Sequence, residues 1–358
     1  MTTQPSAQDE TYQEYVLQGV SRTFALTIPQ LPPELSRIVS NAYLLCRIAD
    51  TIEDDNALTS KQKRQWSDRF INVVAGNASA NDFAQELKPL LSEKALDAER
   101  DLVKNTTRVI RITHSFNTNQ HRALERCIRI MAEGMARYQE HETLDGLKDL
   151  SDMDTYCYYV AGVVGEMLTE LFCDYSDEIN KNREQLIPLA VSFGQGLQMT
   201  NILKDIWEDR KRGACWLPRD VFYNLGFDLT DLTPGKGDDG FIEGLAQLIG
   251  LARAHLHNAL MYTLVIPQHE RGIRRFCLWA LGMAILTLQK INRHRNFSAG
   301  QEVKISRRSV KGTIVVTNLT AGSDKLLKLL FSLTSKGLPV GAIHEKLSGI
   351  LNNARIQV

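Results

Sequence analysis

Two short acidic runs are the parts of this 358-residue chain best suited to chemistry. The first is DTIEDD, residues 50–55, in which Asp50 and Asp54 stand four apart and Glu53 stands three from Asp50. On a helix, residues three and four apart share a face, so these carboxylates crowd together and repel one another. The second is DIWED, residues 205–209, where Asp205 and Asp209 repeat the four-residue spacing. Asn201 and Gln198 precede Asp205 by four and seven residues, which continues a polar stripe along an otherwise apolar run. Either pair alone reads as well as a solvated helix end. The repetition favours magnesium, which takes oxygen ligands, keeps several waters and is usually held by one or two carboxylates together with substrate phosphates. Two such helices facing each other would hold ions that bridge to a diphosphate and neutralise charge as it departs. The chemistry expected is ionisation of an allylic diphosphate. Cationic donors suited to phosphate oxygens stand close in sequence: Arg22 in SRTF, Arg47 one turn before Asp50, and Lys204 beside Asp205. Each of them singly fits an ordinary salt bridge equally well.

Helices must position these residues. Apolar residues recur at three- and four-residue spacing across most of the chain and strand signals are few, which predicts an all-α fold. Following Pro29, Pro32 and Pro33, the stretch from Ser36 to Asp55 carries Ile38, Leu45, Ile48 and Ile52 on one stripe and ends in the first acidic run. Further helices are expected over roughly 60–75, 81–92, 95–117, 119–142, 152–175, 183–209, 240–265 and 270–293. RKRGACWLPRD, from Arg210, and LTDLTPGKGDDG, from Leu229, are expected to be surface loops. With no internal repeat and no long linker, residues 1–358 are expected to form one domain, a helical bundle.

Composition narrows the partners. Lys and Arg together number 42, as do Asp and Glu, which argues against a nucleic-acid partner. Cys46, Cys127, Cys157, Cys173, Cys215 and Cys277 show no CxxC spacing and read as reduced core residues. The polar opening MTTQPSAQDE is unlike a signal peptide. The apolar stretch from Phe276 to Leu288 is too short for a membrane span of about 20 residues. A cytoplasmic monomer is expected, with any membrane contact, such as one for product release, peripheral.

Five segments in order carry a resemblance: SRTFAL at 21–26, YLLCRIADTIEDD at 43–55, YCYYVAGVVGE at 156–166, LQMTNILKDIWED at 197–209 and FCLWALGMAILTL at 276–288. In these the chain resembles the squalene and phytoene synthase family, from roughly Tyr15 to Gly312, and DTIEDD, FCLWALGMAILTL and VKIS bring it nearest the squalene-forming branch. The resemblance implies an isoprenoid synthase-type helical bundle around a central apolar channel, in which two farnesyl diphosphates condense head to head to presqualene diphosphate, which then accepts hydride from NADPH to give squalene. It implies Mg2+ at Asp50, Glu53, Asp54, Asp205 and Asp209, and substrate contacts at Ser21, Arg22, Thr23, Tyr43, Gln198 and Asn201. Tyr159 resembles a residue assisting proton removal, and Phe276 one placed near a carbocation. Arg22, Arg47, Lys204, Asn201 and Lys304 become candidate NADPH contacts. No GxGxxG turn follows a strand, so NADPH rests on the resemblance alone. The competing expectations are a dehydrosqualene, hydroxysqualene or phytoene synthase without a hydride step, and a non-catalytic isoprenoid-binding protein.

Overall fold

The computed structural model describes residues 4–21, 23–93, 95–140 and 142–341, and among these there is no strand, only one isolated bridge between Leu147 and Pro218. The chain divides into two compact units, one comprising Met1–His141 with Glu166–Asn180 and the other Glu142–Gly165 with Lys181–Val358.

In the first unit the central element is the helix Pro33–Asp54, started by a proline whose missing N–H is no loss at that position. Its buried stripe includes Leu44, Leu45, Ile48 and Ile52, each inaccessible to solvent. Around it pack Ala7–Val20, Asp97–Lys104, Thr106–Thr113 and Thr118–Gln139. Capping boxes at Ser6, Thr59 and Asn117 satisfy the first N–H groups of three helices. Asn41, fully buried, donates to Gln13 Oε1 at 3.1 Å and to the Val109 carbonyl at 3.0 Å, and accepts from the Thr113 hydroxyl at 2.8 Å. These bonds tie three helices together at one point.

In the second unit the 30-residue helix Arg183–Arg212 packs along Asp239–Val265 and against the turn Tyr158–Gly162. Glycines permit the approach. A Cβ added at Gly194 would run into the Ala161 carbonyl, and one at Gly165 into that of Ala190. Gly194→Ala is therefore expected to lower stability by about 1–3 kcal/mol, read as a fall in the urea midpoint; an unchanged midpoint would contradict this contact. The long helix stops at Gly213, whose φ of 93° is the left-handed conformation of a C-terminal cap, and Arg210, Lys211 and Arg212 complement the negative end of its dipole.

Two expectations need correction. RKRGACWLPRD is not a surface loop: its first three residues complete the long helix, and Ala214, Cys215 and Leu217 are buried. The segment is drawn inward by backbone pairing, with the N–H groups of Cys215 and Leu147 donating to the carbonyls of Thr143 and Leu217 at 3.0 and 2.9 Å. The helix expected over 95–117 is broken at Asn105, whose backbone leaves the helical region while its amide bonds the Asp101 carbonyl at 2.9 Å. All six cysteines are free and buried. Among the described residues no helix is long and apolar enough to cross a membrane.

Candidate active site

The first acidic run closes the helix Pro33–Asp54, with Asp50 and Glu53 half-buried and Asp54 exposed. Asp55 turns inward and accepts the backbone N–H groups of Ala57 and Ser92, both at 2.8 Å, so it serves the fold. Arg47 lies among carboxylates without closing on any of them. Its Nη1 is 3.7 Å from Asp50 and its Nε is 3.8 Å from Glu99. Its Nη2 donates to the Val20 carbonyl at 3.3 Å. The buried Nε has no hydrogen-bond partner. Burial pushes the Asp50 carboxyl up to about 7, with Arg47 pulling it down and Asp54 and Glu99 adding to the rise, although 31 % of the side chain is exposed. A site with this balance favours a bound cation. Glu99 could not be singled out from the sequence, because nothing in its spacing links it to a residue 52 positions earlier.

Tyr43, one turn before Arg47, donates to the Val20 carbonyl at 3.1 Å and lies against Phe24, with ring centroids 5.0 Å apart. The Ser21 hydroxyl accepts the Phe24 N–H at 2.9 Å, and Thr23 is exposed. Tyr43 and Arg47 thus hold the backbone on which SRTF begins. Arg22 lies outside the described residues.

The second acidic run belongs to the last turns of Arg183–Arg212. Lys204 Nζ is 3.0 Å from Asp205 and donates to Asn201 Oδ1 at 3.4 Å, which gathers these three side chains into one polar patch. Asp209, mostly buried, accepts Arg212 Nη2 at 2.7 Å. Glu208 accepts the Gly300 N–H at 3.1 Å, where a Cβ would be crowded by the same carboxylate. Gln198 is half-buried, and Lys304 is exposed with its carbonyl accepting Lys290 Nζ at 2.7 Å. Among the described residues no three acidic, histidine or cysteine side chains enclose a metal position by themselves.

Residues 17–309 match the model of the squalene/phytoene synthase family. The chain belongs to that family. Squalene synthases from Cyberlindnera jadinii and Saccharomyces cerevisiae are 26 % and 29 % identical to it over 87 % and 82 % of its length. The chain spans 68 % and 63 % of those two relatives. A ligand complex of TcSQS aligns with a TM-score of 0.74 at 23 % identity over 97 % of both chains. A dehydrosqualene synthase aligns at 0.65 and 19 % identity over 87 % of this chain and 96 % of its own. At these identities the structural matches establish the all-helical fold of isoprenoid synthases.

Within this squalene/phytoene synthase family member, Tyr159 sits on a π-helical turn, Tyr158–Gly162, between the helices Leu150–Cys157 and Val163–Tyr175. Such turns insert one residue into a helix and are frequent at functional sites. Tyr159 is half-buried, its ring centroid 5.7 Å from that of Tyr158. Phe276 is buried in the helix Arg271–Arg293.

The sequence reading missed a buried polar network behind that turn. Gln195 Nε2 donates to Asp154 Oδ1 at 2.8 Å, His255 Nδ1 lies 2.9 Å from the Ser192 hydroxyl, and Asn258 donates to that hydroxyl at 2.9 Å. His255 Nε2 faces Asp154 Oδ1 at 3.9 Å. Polar residues in apolar helical stretches were the available signal, but the five that meet run from Asp154 to Asn258 in the sequence. Burial raises Asp154 to about 7 and lowers His255 to about 4. The raised carboxyl costs stability as pH climbs from its unfolded value of 3.8 toward 7, whereas the lowered imidazole adds stability between about 4 and 6.5. Asp154→Asn removes only the first contribution. The variant should therefore gain on the wild type by about 2–4 kcal/mol between pH 4 and 7, measured by urea unfolding; a gap independent of pH would contradict it.

Proposed function

We propose that this protein joins two farnesyl diphosphates head to head into presqualene diphosphate and reduces that intermediate with NADPH to squalene. The observation that carries the reading is the end of the Pro33–Asp54 helix, where Arg47 stands 3.7 Å from Asp50 and 3.8 Å from Glu99, with Asp54 acting on it from further off, and its buried Nε lacks a hydrogen-bond partner. Excess negative charge calls for a cation, and the unpaired N–H calls for an anionic oxygen. A magnesium diphosphate supplies both. The donor set fits the metal: carboxylate oxygens at Asp50, Glu53 and Asp54, and at Asp205 and Asp209, with remaining positions left to water and phosphate. Bound there, Mg2+ would offset the charge that develops on the leaving diphosphate.

The side chains then divide the work. Arg47 donates to the oxygens of one diphosphate, which Ser21, Arg22 and Thr23 also bind, and Lys204 donates to those of the second. Tyr43 holds the backbone that leads into SRTF. The Tyr159 hydroxyl assists removal of the proton lost when the new carbon skeleton closes, relaying it to the diphosphate released in that step, while the face of Phe276 lies toward positive charge. Gln198 and Asn201 position the second diphosphate. Apolar walls exclude water, which would otherwise quench the cations. NADPH would supply hydride to the rearranged cation, and the side chains offered for its phosphates are Arg22, Arg47, Lys204, Asn201 and Lys304. Their donor chemistry suits phosphate.

Support for the squalene-forming end comes from DTIEDD, FCLWALGMAILTL and VKIS and from relatives whose names are squalene synthases. The second reading, a synthase that stops at dehydrosqualene, uses the same acidic clusters without hydride. Incubation with farnesyl diphosphate and Mg2+, with and without NADPH, followed by mass spectrometry of the hydrocarbon separates them. Squalene formed only with NADPH supports the proposal; dehydrosqualene or hydroxysqualene in both tubes overturns its reductive half.

A further inference from the structure

Fourteen large apolar side chains are exposed among the described residues, and seven of them fall between Val315 and Val340. On the helix Arg307–Thr320, Val315, Val316 and Leu319 lie three and four residues apart on one outward stripe, Leu319 being 80 % exposed. The opposite side is anchored: Asn318 accepts Trp279 Nε1 at 3.2 Å, and Thr313 fills the space beside Gly282. On the next helix, Asp324–Thr334, Leu327 and Phe331 are buried while Leu326, Leu329 and Leu333 form a second outward stripe. The two helices pack on each other.

Charge is as uneven as polarity. Between residues 304 and 341 stand Lys304, Arg307, Arg308, Lys311, Lys325, Lys328 and Lys336, all exposed, against one acidic residue, Asp324, which is bonded to buried Arg274. This occurs in a chain whose formal net charge is zero. Lys325 and Lys328 border the leucine stripe of their helix, and Lys311 leads the Val315–Leu319 stripe by one turn. Apolar stripes edged by lysine and arginine are the pattern of helices that lie in the headgroup layer of a bilayer.

We propose that these two helices dock the protein onto an anionic lipid surface. Charge decides against the other occupants. A second copy meeting this face through a two-fold axis would set Lys311, Lys325 and Lys328 against their own copies. Residues 342–358 offer only Glu345 as an acid, beside Lys346 and Arg355. An anionic bilayer matches both the leucines and the lysines, each basic residue near such a surface adding attraction that salt weakens. The use of such docking rests on the proposed function, since a C30 hydrocarbon product has no place to go in water.

The test is sedimentation of the full-length protein with phosphatidylcholine vesicles, with and without phosphatidylglycerol. Binding to the anionic vesicles is expected, weakened at least ~10-fold without phosphatidylglycerol or in high salt. The combined Leu319→Gln, Leu329→Gln and Leu333→Gln variant should lose at least ~10-fold in binding while keeping its melting temperature, and Lys311→Glu with Lys325→Glu and Lys328→Glu should do the same. Absence of wild-type binding, or equal binding by both variants, would overturn the proposal. So would light scattering showing a dimer that the leucine variant dissociates. Vesicle binding is read without turnover, so a protein that binds lipid but leaves farnesyl diphosphate untouched sinks the proposed function and not this surface.

Discussion

Asp54→Asn and Asp205→Asn should each reduce consumption of farnesyl diphosphate at least ~100-fold, with helical content and melting temperature nearly unchanged. Both carboxylates stand on exposed or half-exposed parts of helix ends, so asparagine fits in the same volume. What asparagine removes is the negative charge a metal requires. At Asp205 the substitution also frees Lys204, now 3.0 Å away, so an effect through salt-bridge loss must be separated from one through the metal. Raising Mg2+ does so: a weakened metal site recovers part of its rate at high concentration, whereas a broken salt bridge does not respond. Near-normal turnover by either variant would end the two-cluster mechanism.

Arg274→Met should cost about 3–5 kcal/mol, the largest stability effect expected of any single substitution considered. The guanidinium is 1 % exposed. It donates from Nε to the Ile266 carbonyl at 2.8 Å, from Nη2 to that of Leu264 at 3.2 Å, and from Nη1 to Ala321 O at 3.0 Å and Asp324 Oδ1 at 2.8 Å. Methionine fills the volume and leaves three carbonyls and a carboxylate without their donor. Lysine at this position cannot reproduce the planar fork and should rescue only in part. A urea midpoint for Arg274→Met within error of the wild type would show that water replaces these bonds.

The parts of the fold legible in the sequence were those in which local pattern and packing agree. Ile38, Leu45, Ile48 and Ile52 recur at helical spacing because one face of their helix is wholly buried, and the same spacing places Asp50, Glu53 and Asp54 together at its end. The helices Ala7–Val20, Arg307–Thr320 and Asp324–Thr334 escaped that reasoning. In the last two, leucine and valine occupy outward positions, so apolar periodicity no longer points to the core. RKRGACWLPRD misled in the opposite direction, since Gly213 and Pro218 signal a turn but say nothing of the backbone bonds to Thr143 and Leu147 that bury it.

The candidate site residues followed the same division. Asp205, Lys204 and Asn201 are neighbours in sequence as in space, and spacing sufficed. Glu99 beside Arg47, and His255 beside Asp154, are pairs made by tertiary packing alone. Each pair brings together titratable or charged groups from distant helices, at distances no spacing rule supplies.

The most direct test of the central claim omits the reductant. Farnesyl diphosphate is incubated with the protein and Mg2+ in the absence of NADPH, and the phosphorylated products are identified by mass spectrometry. Head-to-head condensation predicts presqualene diphosphate, a C30 diphosphate formed with release of one diphosphate for every two substrates consumed, and none of it when Mg2+ is chelated. A C15 hydrocarbon or alcohol as the product, or farnesyl diphosphate left intact, would contradict the account.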